Sequence, residues 1–138
     1  LFGSLGKNPV VEKNIRVDYG FNMHAGDNFF ANYDCVFLDC APITFGDNVF
    51  IAPQCGFYSV NHPLDAATRN KGVEKGLPIT VGSDVWFGGG VKVMPGVTIG
   101  DNVVIGGGSV VVKDNPSDSL AVGNPARVVK KLPPRENA

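Results

Sequence analysis

Charge of either sign is scarce in this sequence, and the two signs balance. The 138 residues contain 12 Lys and Arg against 13 Asp and Glu, which gives a formal net charge of -1 and a charged fraction of 18%. A protein that binds nucleic acid or a membrane surface carries a pronounced basic patch. We therefore expect neither partner. The 43% share of hydrophobic residues indicates a folded chain.

Cysteine and histidine are also few. Cys35, Cys40 and Cys55 are odd in number and form no C-x-x-C motif, so the sequence favours neither a disulfide framework nor a zinc site. A trigonal zinc centre needs three imidazoles, whereas the chain has only His24 and His62. We predict that no metal is required. Free cysteines are typical of a reducing cytoplasm.

Long apolar runs are missing as well. No stretch approaches the roughly 18 apolar residues that span a bilayer, and no charged segment precedes an apolar one at the start, as in a signal peptide. The chain begins at Leu1 and not at Met, from which we expect that an N-terminal segment of a longer chain is not included.

Glycine and proline, in contrast, are abundant. The 18 Gly and 10 Pro exceed the share of roughly 12% that these two residues have in globular proteins. So many helix-weakening residues exclude a helical bundle. The length fits one domain.

A six-residue repeat organises the chain. An apolar residue recurs at Val81, Phe87, Val93, Ile99, Ile105 and Val111, and the next residue is usually small. A period of six fits a chain that makes a short strand, turns a corner and starts again. Three such strands close one coil, and stacked coils form a left-handed parallel β-helix, an all-β fold. We expect glycine to supply the positive φ that the corners need.

The repeat continues upstream in a weaker form. The same phase occurs at Phe45, Ile51 and Phe57. A further set at six-residue intervals comprises Tyr19, Ala25, Ala31 and Phe37, and its last member lies eight residues before Phe45 instead of six. We interpret the offset as two residues inserted between 39 and 42.

The repeat is interrupted from about residue 58 to 78, which we predict to be a loop extruded from the β-helix. The β-helix domain then spans residues 1–132, and residues 133–138 form a frayed tail. The loop contains Asn61-His62-Pro63, in which proline restricts the backbone of His62. An imidazole with a pKa near 6.5 is suited to accept a hydroxyl proton. A surface histidine without a role is the alternative.

Three functional classes use such a coil: acyl transferases, metal-dependent hydratases and structural scaffolds. Two histidines are too few for the hydratase site. A long loop on a regular solenoid favours a functional protein over a scaffold.

Several further motifs in the sequence resemble those of one known protein family. Asn61-His62-Pro63 is followed by Pro78-Ile79-Thr80-Val81-Gly82 and by Val85-Trp86-Phe87-Gly88. Asn28-Phe29-Phe30-Ala31-Asn32 precedes them, and Val122-Gly123-Asn124-Pro125-Ala126-Arg127-Val128 follows. Together they resemble the hexapeptide-repeat sugar O-acetyltransferases, the maltose and galactoside acetyltransferases, over nearly all of residues 1–132.

The resemblance implies a reaction and an assembly. His62 would be the general base for direct attack of a sugar hydroxyl on acetyl-CoA, and the backbone N–H of Gly89 would stabilise the oxyanion. A xenobiotic acetyltransferase of the chloramphenicol or streptogramin type, a serine acetyltransferase and a non-catalytic scaffold stay open. The resemblance also implies a homotrimer with active sites between subunits, and a helical segment before the position of Leu1.

The resemblance implies contact residues too. The acceptor contacts fall on Asp18, Asn32 and Cys40, and Glu74 in the loop could line the same pocket. Asp18 stands where other members have serine, and Cys40 stands where galactoside enzymes have a carboxylate. The adjacent Asp39 could supply that carboxylate instead; the alternative is that Asp39 is a residue of the coil corner. The coenzyme contacts fall on Gly89, Gly107, Val112, Lys113, Arg127 and Lys130. For Trp86 we slightly favour a place in the core over one at the coenzyme slot.

Overall fold

A computed structural model describes residues 2–136, which are nearly all β-structure. The strands before the helix are β1 (Ser4–Leu5), β2 (Val10–Val11), β3 (Arg16–Val17), β4 (Met23–Ala25), β5 (Phe30–Ala31), β6 (Val36–Leu38), β7 (Ile43–Phe45), β8 (Val49–Ile51), β9 (Gly56–Tyr58) and β10 (Val60–Asn61). After α1 (Ala66–Arg69) follow β11 (Lys75–Gly76), β12 (Ile79–Val81), β13 (Val85–Phe87), β14 (Lys92–Val93), β15 (Thr98–Ile99), β16 (Val103–Ile105), β17 (Val110–Val111), β18 (Ser119–Gly123) and β19 (Ala126–Lys131).

Strands from successive coils line up in three sheets. Sheet A contains β1, β4, β7, β12 and β15, and sheet C contains β3, β6, β9, β14 and β17. Sheet B contains β2, β5, β8, β13, β16 and β18, with β19 at its edge. Val85 of β13 lies in parallel register between Val49 of β8 and Val103 of β16. Each complete coil takes one strand from each sheet, so the predicted β-helix is confirmed. We call its turns the A–B, B–C and C–A corners.

The interior of the coil is filled by alternate side chains of each strand. In β8, β12 and β13 the first and third residues are buried and the middle one is exposed. Phe37 and Phe57 stack with 5.3 Å between ring centroids, and Phe57 meets Phe87 edge-on at 5.0 Å. Each such buried ring stabilises the fold by about 2 to 3 kcal/mol. The stacked interior is what allows the corners to vary without loss of the fold.

Coil length varies only at the C–A corner within the described repeat. Val17 and the next core residue, Ala25, are eight positions apart, and the following coil keeps this spacing; Val93 and Ile99 are six apart. The prediction of one insertion near residues 39–42 is therefore incomplete, since a second lies at 18–22. In the first coil, Val17 occupies the inward-facing position of sheet C, and Tyr19 is exposed. The assignment of Tyr19 to the repeat was therefore wrong.

The A–B corner corrects the predicted role of glycine. Positive φ belongs to Asn48 (56°) and Asn102 (54°), while Gly46 keeps an ordinary φ. A Cβ on Gly46 would lie 2.8 Å from the carbonyl carbon of Gly82 in the next coil. Glycine is required here because neighbouring coils approach closely, and asparagine tolerates the left-handed position because its short side chain bonds locally.

The carboxyl-terminal end of the β-helix is covered by the antiparallel pair β18 and β19. Residues 132–136 then return along the A–B corner. The Leu132 amide donates to the Asp118 carbonyl at 2.8 Å, and Arg135 pairs with Asp84 at 2.5 Å. The predicted frayed tail thus contacts the coil in its described part, whereas residues 137 and 138 lie outside the described residues. No helix within residues 2–136 has the length and apolarity to cross a membrane.

Candidate active site

The extruded segment is a small hairpin at the C–A corner. Its two limbs, β10 and β11, pair antiparallel, with Val60 opposite Gly76. Between them Asp65 begins α1 by accepting from the Thr68 amide at 2.9 Å. Arg69 donates to the carbonyl of Leu64 at 3.2 Å and so ties the helix to the segment that follows His62. The predicted loop is thereby confirmed as an excursion, but it has its own hydrogen-bonded structure.

His62 lies directly after β10 and is exposed. Its Nδ1 is 3.3 Å from the Val73 carbonyl on the opposite limb of the hairpin. A carbonyl can only accept, so Nδ1 carries the proton in this contact. In the neutral ring Nε2 is then the unprotonated nitrogen, free to accept a proton. The hairpin therefore presents His62 as a base in a defined tautomer.

The root of the hairpin is held by Ser59, which is fully buried. Its hydroxyl accepts from the Ala41 amide at 2.8 Å and lies 2.7 Å from the Leu38 carbonyl. Its carbonyl accepts from the Leu77 amide at 2.7 Å, where the chain returns to the coil. Both ends of the excursion are thus fixed to the coil below.

Asp39 is a corner residue and not a sugar contact. Its side chain has 0% exposure, and its carboxylate accepts from the amides of Tyr19 at 2.8 Å, Gly20 at 2.7 Å and Asn22 at 3.1 Å. These donors belong to the eight-residue corner of the first coil. The charge organises that corner and is closed to a ligand, which overturns Asp39 as the substitute for Cys40.

The predicted acceptor residues share the C–A corner, with one exception. Asp18 is exposed, Cys40 is half-buried, and Glu74 is exposed on the returning limb of the hairpin, next to Val73. Asn32 lies elsewhere, at the B–C corner, where its side-chain oxygen accepts from the Tyr33 amide at 2.8 Å.

Among the described residues, the backbone amides of Gly89 and Gly107 have no acceptor at the B–C corner, although the amides on either side of Gly89 are bonded. Gly88 donates to the carbonyl of Ile105 at 2.8 Å, and Gly90 donates to the carbonyl of Pro53 at 2.9 Å. Within residues 2–136, no carbonyl accepts from Gly89 or, one coil further, from Gly107. Both glycines are exposed. Adjacent coils are about 4.8 Å apart, so the corner offers two stacked donors to an incoming oxygen.

The other predicted coenzyme residues lie near the same end of the molecule. Arg127 pairs with Val122 beside the B–C corner, while Lys130 pairs with Leu120 further along the edge of sheet B. Val112 and Lys113 follow β17 at the C–A corner, and all four are exposed. The predicted coenzyme residues therefore border sheet C on both edges and do not form one row.

Trp86 is not a core residue. It is 55% exposed on the outer face of sheet B, in register with Phe50 and Val104. Phe30, Val10 and Leu120 extend this apolar ladder along the sheet. The expectation of a core aromatic is wrong because the hexad places Trp86 at the middle position of β13, which faces outward.

The structure therefore separates two groups of candidate residues. His62, Asp18, Cys40 and Glu74 belong to one edge of sheet C, and Asn32, Gly89 and Gly107 to the other. The Val73 carbonyl, which fixes the His62 tautomer, was missed because a main-chain contact leaves no signal in side-chain patterns. Among residues 2–136, no three His, Cys, Asp or Glu side chains form a cluster that could hold a metal ion.

Comparisons with known proteins agree with this architecture. The family model described as bacterial transferase hexapeptide (six repeats) matches residues 78–113. The crystal structure of a maltose O-acetyltransferase from Clostridium difficile 630 is 60% identical, with a TM-score of 0.96 over 97% of this chain and 72% of that one. A galactoside acetyltransferase in complex with coenzyme A is 43% identical, with a TM-score of 0.94 over 96% of this chain and 66% of that one.

A Schizosaccharomyces pombe protein named as an acetyltransferase is 52% identical over 124 residues, which are 90% of this chain and 60% of that protein. The chain belongs to the hexapeptide-repeat acetyltransferase family, as the resemblance implied. It spans from 60% to 72% of the length of these three relatives.

Proposed function

We propose that the protein transfers an acetyl group from acetyl-CoA to a hydroxyl group of a sugar. The observation that carries this proposal is the contact between His62 Nδ1 and the Val73 carbonyl at 3.3 Å, which leaves Nε2 as a base. The similar solved structures, those of a maltose O-acetyltransferase and of a galactoside acetyltransferase in complex with coenzyme A, support the donor and the class of acceptor.

In the proposed reaction His62 Nε2 takes the proton of the acceptor hydroxyl. The oxygen attacks the carbonyl carbon of the thioester, and the negative charge of the tetrahedral intermediate falls on the former carbonyl oxygen. The carbon–sulfur bond then breaks, and the thiolate of coenzyme A receives the proton from His62. A positioned base of this kind accelerates such a step by about 10²- to 10⁴-fold.

The free amide of Gly89 is the donor that we assign to the oxyanion. A main-chain N–H is available whatever the side chain, so glycine at this position keeps the donor. Gly107 lies one coil further and lets the coenzyme approach the backbone, and the exposed Lys113, Arg127 and Lys130 offer charge to its phosphates.

On the acceptor side, Asp18 and Cys40 set the chemistry of the pocket together with Glu74. A thiol is a poor partner for sugar hydroxyls compared with a carboxylate. Because Asp39 is fully used at its corner and Asp65 caps α1, we assign the exposed carboxylates of Asp18 and Glu74 to the acceptor.

The separation of the two groups supports a homotrimer. If three copies surround a three-fold axis with sheet C facing inward, the C–A corner of one copy adjoins the B–C corner of the next. His62 of one copy then faces Gly89 of its neighbour, and each site contains parts of two chains. A single chain keeps these residues at opposite edges of sheet C.

A thiol-release assay with acetyl-CoA and a panel of acceptors tests the proposed function. The panel contains maltose, glucose, a galactoside, serine and chloramphenicol. We expect turnover with at least one sugar that exceeds turnover with serine and chloramphenicol. Preference for one of the latter two would overturn the sugar assignment. No turnover together with no change of the melting temperature in coenzyme A would overturn acetyl transfer itself.

A further inference from the structure

The candidate oxyanion donor lies in a turn that has no side chain of its own. Gly88, Gly89 and Gly90 follow one another at the B–C corner, and glycine has the largest backbone freedom of all residues. An oxyanion donor is effective only when its direction is fixed before the reaction. Groups outside the turn must therefore hold the Gly89 amide.

A buried thiol holds the peptide unit on the N-terminal side. Cys55 Sγ lies 3.2 Å from the Gly88 carbonyl, which belongs to the same planar peptide unit as the Gly89 N–H. The neighbouring Cys35 thiol and, second, burial raise the pKa of the Cys55 thiol, so that it stays protonated and can donate. Fixing this carbonyl fixes the direction of the Gly89 N–H.

Lys92 holds the turn on the C-terminal side. It lies on the outer face of sheet C, between Gly56 and Val110. Its Nζ donates to the carbonyls of Gln54 at 2.6 Å and Gly90 at 3.1 Å. Within residues 2–136 these carbonyls have no other hydrogen-bond donor.

The two carbonyls belong to equivalent positions of neighbouring coils. Gln54 has a φ of 63° and Gly90 a φ of 72°, so both are left-handed corner residues. The ammonium group thus joins two coils beside the glycine turn. It also places a positive charge 3.1 Å from the carbonyl of Gly90, the residue that follows Gly89.

On the basis of the proposed function, we propose that Lys92 and Cys55 are positioning residues for the Gly89 amide. Lys92 fixes the peptide after Gly90, the next one along the turn, and Cys55 fixes the peptide before Gly89. The two residues replace the rigidity that a larger residue at position 89 would give to the turn.

Kinetics of Lys92→Met test this proposal, because methionine keeps most of the length of the side chain and removes the charge. We expect kcat to fall about tenfold, with KM for acetyl-CoA and for the acceptor within about twofold of the wild type. Lys92→Arg should recover part of the loss. Lys13→Met, at the exposed B–C corner of the first coil, is the matched control and should leave kcat unchanged.

Cys55→Val provides a second variant that is expected to fold. Val91 occupies the equivalent buried position one coil further, so valine fits this slot. We expect a smaller fall in kcat, of about threefold, because a thiol is a weak donor.

A measurement of the turn itself separates this proposal from the proposed function. Selective ¹⁵N-glycine labelling yields spectra of only 18 residues. In Lys92→Met the Gly89 and Gly90 amide signals should shift, and the Gly90 amide, which donates to the Pro53 carbonyl, should exchange faster with water, while Gly46 and Gly82 should not change.

Unchanged kcat and unchanged Gly89 and Gly90 signals in Lys92→Met would overturn the proposal. A raised KM for acetyl-CoA at constant kcat would overturn it as well, since Lys92 would then bind the coenzyme. If the wild type acetylated none of the acceptors, the proposed function would fail, and the glycine spectra would still decide whether Lys92 holds the turn.

Discussion

The A–B and C–A corners of the β-helix are built on opposite principles. At the A–B corner every coil uses the same spacing, and side chains form ladders from coil to coil, such as Asn28 to Asn48 at 2.8 Å and Asn48 to Asp84 at 3.1 Å. At the C–A corner the spacing changes with almost every coil, and the hairpin with His62 leaves the coil there.

The difference between the two corners explains how a repetitive fold accommodates a candidate active site. The A–B corner can repeat because glycine permits close approach and asparagine accepts the left-handed backbone. The C–A corner gives up this regularity, and single buried groups such as Asp39 and Ser59 secure each corner separately. Regularity therefore maintains the solenoid, while irregular corners carry the candidate chemistry.

The largest effect is expected at the irregular corner, on activity alone. His62→Gln should lower kcat by about 10²- to 10⁴-fold because the base is lost, and the melting temperature should stay constant because the side chain is exposed. His24→Gln is the matched control; His24 lies on sheet A, beside Ser4. Equal losses in both variants would refute the special role of His62.

The next largest effect should arise at the regular corner, on stability alone. A Cβ at Gly82 would lie 2.8 Å from the carbonyl carbon of Gly100, so Gly82→Val forces two coils apart. We expect a loss of about 3 to 5 kcal/mol and a melting temperature lower by about 10 °C or more. Thr80→Val, on the exposed position of the same β12 strand, should have little effect. A stable Gly82→Val protein would contradict the close-approach account.

Asp39→Asn tests whether the buried Asp39 carboxylate stabilises the irregular C–A corner. The amide removes the charge and one acceptor oxygen from three backbone N–H donors around a buried side chain, so we expect a destabilisation of about 2 to 3 kcal/mol in chemical unfolding. Asp34→Asn, at an exposed corner position, is the control. If Asp39→Asn kept its stability but lost affinity for the acceptor, Asp39 would be a ligand contact after all.

The smallest effect is expected for the tail. Arg135 pairs with Asp84 and lies 3.6 Å from Asp101, with partners that are about 40% to 50% exposed. Solvent and salt screen such pairs. Arg135→Gln should therefore leave the thermal midpoint within about 1 °C of the wild type. A drop as large as that of Asp39→Asn would make the tail an essential part of the A–B corner.

The sequence predicts the regular parts of this molecule well and the irregular parts less well. The hexads from Val81 to Val111 identify the buried positions because each coil repeats the same geometry. Tyr19 was assigned to the core because an eight-residue corner shifts the phase and single residues cannot show this. Trp86 was slightly favoured as a core residue because a large aromatic side chain suggests burial, whereas the hexad position decides its direction.

The candidate site divides in the same way. The motif around His62 was visible in the sequence, but its tautomer depends on the main-chain carbonyl of Val73. The free amide of Gly89 depends on which neighbouring carbonyls are occupied. Such contacts arise from the path of the backbone and leave no pattern in the residue types.

The central claim is that His62 of one copy works with the Gly89 and Gly107 face of another. Co-expression of His62→Gln with Gly107→Leu tests it most directly, since each variant alone should be inactive for a different reason. If sites form between copies of a trimer, the mixed assemblies should regain up to about a quarter of wild-type activity. A mixture that stays inactive while its subunits exchange would contradict the claim.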